Sequence, residues 1–143
     1  MKEILIQLVT AFLGSLGFSL LFNLHRRHLL FASLSGMITW GLYLLIHSFL
    51  KSPFLANLFA SVFAVTLAEV LAHWRKCPAT LFVIPAIIPL VPGSSLYYAM
   101  SYAVAHDLET ANRYGHQTVV AALAIAAGIS FVTACRELHT ARK

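Results

Sequence analysis

Phe82-Val83-Ile84-Pro85-Ala86-Ile87-Ile88-Pro89-Leu90-Val91-Pro92-Gly93-Ser94-Ser95-Leu96-Tyr97-Tyr98 sets this chain apart from a plain run of apolar helices. Its flanks are apolar enough for the interior of a bilayer. Its centre holds three prolines, each of which removes a backbone donor and crowds the preceding turn. Pro92-Gly93 adds a turn signal. A continuous helix through this run is therefore not expected. Irregular backbone at membrane depth is tolerated only where protein buries it or where it lines a watery cavity. The stretch predicts two half-helices around a break between Pro89 and Gly93, the second starting near Gly93-Ser94-Ser95. The free N–H groups and positive dipole end of that second half would face whatever occupies the break. A proline kink with no ligand is the plainer alternative.

Outward from the break, the composition is that of a membrane protein. Of 143 residues, 59% are hydrophobic and 10% charged, and the mean hydropathy is +0.80. A soluble domain carries about 25% charged residues, so this chain has too few charges to cover a water-exposed surface. Four further apolar segments stand out, at 4–24, 29–50, 53–73 and 118–135, beside the broken one at 81–105. A crossing helix needs about 20 apolar residues, and backbone groups in lipid must be satisfied internally. The expected fold is an all-α integral membrane bundle of about five transmembrane helices, one domain spanning 1–143, with the fourth helix broken. Short links at 25–28 and 51–52 make neighbours antiparallel. Pro53 suits a first helical turn, with Ser52 as its N-cap. The link at 106–117 is expected to be exposed.

The net charge is +5. The basic residues sit in pairs between apolar runs rather than in a stripe interleaved with aromatics, which argues against nucleic-acid binding. With five crossings, one side carries Lys2, Lys51 and Arg113. The other carries Arg26, Arg27, Arg75, Lys76, Arg136, Arg142 and Lys143. A re-entrant fourth segment would even the two sides. The positive-inside rule thus places the N-terminus out and the C-terminus in. Cys77 and Cys135 make no disulfide framework and read as small buried hydrophobes.

Small residues mark packing faces. Alanines at 56, 60, 64, 68 and 72 form one ridge along the third segment. Ala122 with Ala126, Ala124 with Gly128, and Gly14 with Gly17 repeat the theme in the fifth and first segments. Trp74, beside Arg75 and Lys76, reads as an interfacial anchor and Trp40 as core.

Glu69 is the acidic residue inside a segment, and ionisable groups there are functional hypotheses. It shares a helical face with His73, four residues on, so the pair could carry a proton. The alternative is an ion pair with Arg75, Lys76 or a partner subunit. His25 and His28 are too few for a metal site; neither metal nor cofactor is expected.

Ile84-Pro85-Ala86-Ile87-Ile88-Pro89-Leu90-Val91-Pro92-Gly93, followed by Tyr97-Tyr98-Ala99-Met100, resembles the signature of the threonine/serine exporter superfamily. The closer resemblance is to the small membrane subunit of its split, two-gene form. Gly17-Phe18, Leu21-Phe22-Asn23, Gly36, Trp40 and the run from Ala72 to Pro78 extend the likeness over nearly the whole chain. The resemblance implies a multi-pass protein of the bacterial inner membrane that exports threonine and serine, or small carboxylates such as succinate. It also implies a larger partner subunit carrying the missing half, and it leaves homo-oligomers open.

The expected substrate site is Pro89, Pro92, Gly93, Ser94, Ser95, Tyr97 and Tyr98, with Glu69 and His73 as proton-coupling candidates. A scaffold that anchors a larger partner without a substrate site of its own is the alternative. An intramembrane enzyme is disfavoured, because the chain has no H-E-x-x-H, no G-x-S-x-G and no facing acidic pair.

Overall fold

The computed structural model describes residues 2–141, with side chains through Leu138. Among the described residues every regular element is helical: α1 Lys2–Leu21, α2 Arg26–Leu50, α3 Pro53–Arg75, α4 Thr80–Ile87, α5 Gly93–Val104 and α6 Leu108–Ala141. A 3₁₀ turn, Ile88–Leu90, follows α4. Four helices are long and apolar enough to cross a membrane, and α4 with α5 makes a fifth span if the pair, bent by 50°, counts as one. This is the expected all-α membrane bundle with a broken fourth helix. Arg142 and Lys143, which enter the charge count, lie outside the described residues.

The helix ends follow from backbone hydrogen bonding. Past α1, the Leu24 N–H reaches the Ser19 carbonyl at 3.0 Å and the Asn23 N–H reaches Leu20 at 3.0 Å. The same double bond closes α3, from Cys77 to Ala72 and Lys76 to His73, and α5, from Asp107 to Tyr102 and His106 to Ala103. In each case the residue in the left-handed conformation is not glycine but Asn23, Lys76 or His106, although glycine usually takes this place. Ser52 occupies the N-cap of α3, but its hydroxyl makes no capping bond. Its carbonyl accepts the Ala56 N–H instead.

The alanine ridge of α3 is the spine of the fold. Ala56, Ala60, Ala64 and Ala68 are fully buried and Ala72 nearly so. Side chains this small let two backbones approach closely, which stands in for the missing hydrophobic drive inside lipid. On α6, Gly128 completes the contact: a Cβ there would collide with Ser61 Oγ and lie 3.0 Å from the Leu58 carbonyl. Of the paired small residues on α6, Ala124 and Gly128 face this seam, whereas Ala122 and Ala126 are exposed. Gly14 and Gly17 meet open space and mark no packing face. Cys77 is half-buried and Cys135 is exposed, because Cys135 lies on the outer face of α6.

Ser61 faces Gly128, and Glu69 faces Arg136, eight residues further along both chains. Helices α3 and α6 therefore run parallel, as they must if the chain returns once between them.

The link expected at 106–117 is helix from Leu108 onward. The Thr110 N–H bonds to Asp107 Oδ1 at 3.2 Å, starting α6. Hydrogen bonds from Thr110 hold the Asp107 carboxyl below its usual range, so this cap favours the folded state above that range and is lost as the pH falls through it. At 34 residues and about 1.5 Å per residue, α6 is longer than a bilayer's hydrocarbon thickness of about 30 Å. One side of its polar first turns packs against α5 through Tyr114 and Thr118, while Glu109, Asn112, Arg113, His116 and Gln117 stay exposed.

Candidate functional site

The break in the fourth helix falls at Pro89 and Pro92, while Pro85 sits inside α4; each of the two at the break leaves one carbonyl without its helical donor. Pro92 cannot serve Ile88, so the Val91 N–H takes that carbonyl at 3.2 Å in a tighter turn. Pro89 cannot serve Pro85. That carbonyl is instead satisfied from another helix, by Ser15 Oγ of α1 at 2.9 Å. Ser15 is fully buried, and Gly36 of α2 makes room for it: a Cβ at 36 would collide with Ser15 Oγ and stand 2.8 Å from the Pro85 carbonyl. Three helices thus meet on one proline carbonyl. Replacing Ser15 by Ala leaves that carbonyl buried and unpaired, which costs about 1–3 kcal/mol. Thermal unfolding of the purified protein measures it, and an unchanged midpoint would mean the carbonyl finds another donor.

After the break, the Gly93 N–H bonds to the Val91 carbonyl at 2.8 Å and the Leu96 N–H to Pro92 at 3.1 Å. The N–H groups of Ser94 and Ser95, between them, have no backbone acceptor among the described residues. Ser95 Oγ donates to the Pro92 carbonyl at 3.1 Å and accepts from Thr118 Oγ1 at 3.1 Å, which ties α5 to α6. Tyr102 stacks on Tyr114 at 5.8 Å between ring centroids, and Tyr98 meets the same ring tilted, at 5.4 Å.

A cavity of about 530 Å³ opens at this break. Pro89, Pro92, Ser94 and Ser95 are on its wall. Gly93 lies beside the wall, with open space where a Cβ would stand. Tyr97 and Tyr98 are exposed on α5 and are not part of the lining. The opposite wall comes from residues that sequence reasoning did not join to the break: Trp40 and Tyr43 of α2, Asn57 of α3, and His116 and Gln117 of α6. Trp40 is half-buried rather than core. Its Nε1 donates to Gln7 at 3.3 Å and its ring stacks on Tyr43 at 4.9 Å. A polar residue on an otherwise apolar turn is the one signal that could have pointed to Asn57 beforehand.

Glu69 and His73 lie elsewhere, at the opposite end of the α3–α6 seam, in an open groove. The partner of Glu69 is neither Arg75 nor Lys76 but Arg136, at 3.4 Å. Arg75 instead lays its guanidinium over Phe31, 4.0 Å from the ring centroid. Among the described residues no cluster of metal-ligating side chains occurs.

The family model described as Threonine/Serine exporter, ThrE, matches residues 7–135. The chain belongs to the threonine/serine exporter family. No solved structure matches it. The match takes in the whole broken segment and both cavity walls, so the described geometry is that of an exporter-family membrane domain. Transport across a membrane is the activity the family carries.

Proposed function

We propose that this chain is the membrane subunit of an exporter of small carboxylates or small amino acids, with the cavity at the helix break as its substrate site. The carrying observation is the union, in one cavity, of the unpaired Ser94 and Ser95 N–H groups with neutral polar side chains from three other helices. A carboxylate placed there meets two backbone donors at the positive end of α5, the arrangement by which discontinuous helices hold anionic groups. The described lining contains no acidic side chain. An α-ammonium group would thus meet only hydroxyl and amide oxygens, which favours the carboxylate end of any substrate as the part that is held. The charge count supports an N-terminus outside and a C-terminus inside, in a bacterial inner membrane. A larger partner subunit would work with this chain. Proton coupling through Glu69 and His73 is the second, separable part of the proposal.

Efflux of labelled serine, threonine and succinate from cells with and without the chain and its larger neighbour tests this reading. Faster efflux of at least one, dependent on this chain, is expected. Equal efflux of all three would overturn it. The scaffold reading draws on one observation: α5 buries no residue and exposes Leu96, Tyr97, Met100 and Val104, a face open to a partner. Substrate binding by the partner alone would favour the scaffold.

A further inference from the structure

Arg75, in the last turn of α3, lies across two aromatic rings. Its guanidinium carbon is 4.0 Å from the centre of the Phe31 ring of α2 and 5.3 Å from that of Trp74. The two rings meet edge to face at 6.1 Å. A cation over a ring face is attracted to it, so the guanidinium is held in place. Yet it is not paired. Its Nε is buried without an acceptor, and among the described residues neither a hydrogen bond nor an ion pair takes up the rest of the group. A guanidinium presents five donors in a fixed fork and keeps its charge, so one that is held but unpaired is open to an anion. The protein offers no carboxylate there. The first turn of α2 has no acidic residue, and Glu69, the acidic residue of α3, faces the α3–α6 seam.

From Arg75 an apolar track leads towards the middle of the membrane. Arg27, Phe31, Leu34 and Ile38 recur at the spacing of one face of α2. Val70 and Trp74, one turn apart, lie beside that face on α3. Leu34, Ile38 and Val70 are 39%, 46% and 60% exposed, a surface that suits acyl chains in a chain that crosses a bilayer. A fixed cation and an apolar stripe leading away from it match the head and the chains of one molecule. We propose that the α2–α3 groove at this end holds an anionic phospholipid, its phosphate on the Arg75 fork beside Arg27 and its chains along the stripe. Basic sites between membrane helices hold anionic headgroups in this way. A free anion would use the cation and leave the stripe unused, and a zwitterionic headgroup would bring its own cation up to Arg27 and Arg75. Bound there, the lipid bridges α2 and α3 at the end opposite the break. The inference does not rest on the transport reading.

The chain has two tryptophans, so in full-length Trp40→Phe protein Trp74 emits alone. The protein is placed in phosphatidylcholine nanodiscs that hold a small fraction of brominated lipid, which quenches a tryptophan it touches. Brominated phosphatidylglycerol is expected to quench Trp74 about fivefold more effectively than brominated phosphatidylcholine, the scale of one basic side chain at an anionic headgroup. Lys76→Gln removes a neighbouring charge and keeps most of that preference. Arg75→Lys keeps the charge but loses the planar fork, and is expected to bring the ratio down to about twofold or less. Unchanged quenching by brominated phosphatidylcholine shows that the variant is folded and inserted.

The contrast between the two variants separates a site from general charge attraction. If Arg75→Lys keeps the preference while Lys76→Gln lowers it as far as Arg75→Gln does, the basic end attracts lipid only by its summed charge, and the proposal fails. Equal quenching by the two lipids in the parent protein overturns it as well. So does a preference that inorganic phosphate removes at constant ionic strength, which would give the site to free phosphate.

Discussion

Efflux from cells carrying Ser94→Phe falls at least about tenfold below the unsubstituted protein, while the variant accumulates in the membrane at the same level. Ser94 is exposed on the cavity wall, so a phenyl ring enters the cavity without displacing a packed neighbour. It occupies the volume a substrate would use and covers the Ser94 and Ser95 N–H groups. Tenfold corresponds to about 1.4 kcal/mol in a barrier, a modest demand for a blocked site. Ser94→Ala keeps the N–H groups and the space, and loses only a hydroxyl, so its effect is a few-fold at most. The two are read by labelled-substrate efflux alongside the amount of chain in the membrane fraction. Full efflux from an abundant Ser94→Phe protein would remove the break cavity from the transport path.

The second large effect is structural. Gly36→Val destabilises the protein by about 3 kcal/mol or more, the upper range for forcing added carbon into a packed interior. The first added carbon already collides with Ser15 Oγ and meets the Pro85 carbonyl. Moving Ser15 aside gives up its bond to that carbonyl, so relief of the clash orphans the very group the proline run leaves without a helical donor. Gly17→Val, on α1 with open space around it, is the control and should change stability by less than about 1 kcal/mol, the scale of helix propensity alone. Thermal unfolding of the two variants in detergent gives the comparison. Equal midpoints would mean that the junction of α1, α2 and α4 is not tightly fitted.

The features legible beforehand are those written in local pattern. The apolar runs, the break at Pro89–Pro92–Gly93, the start of α5 and the buried ridge from Ala56 to Ala72 each depend on residues within a few turns of one another. The first ten residues of α6 were not legible, because Glu109, Asn112, Arg113, His116 and Gln117 look like a loop when nothing is known of α5. Only the packing of Tyr114 and Thr118 against that helix makes them a continuation. For the same reason the donor to Pro85 and the partner of Glu69 escaped. Ser15 is 70 residues from Pro85, and Arg136 lies on a helix whose parallel course beside α3 is a tertiary fact. The break cavity was half legible: its own segment supplies one wall, while Trp40, Tyr43, Asn57 and Gln117 reach it only through the fold.

The close contact at Gly128 divides α6 unequally. About 30 Å of the helix lies on the side of the break and about 20 Å on the side of the Glu69 groove, at about 1.5 Å per residue. A stiff rod held at one such point is a lever. Tilting it by roughly 10° would carry the far tip about 5 Å and the near tip about 3 Å in the opposite direction, taking those arm lengths. In such a tilt, opening at one end and closing at the other would be one movement, with the glycine that lets α6 touch Ser61 as its fulcrum.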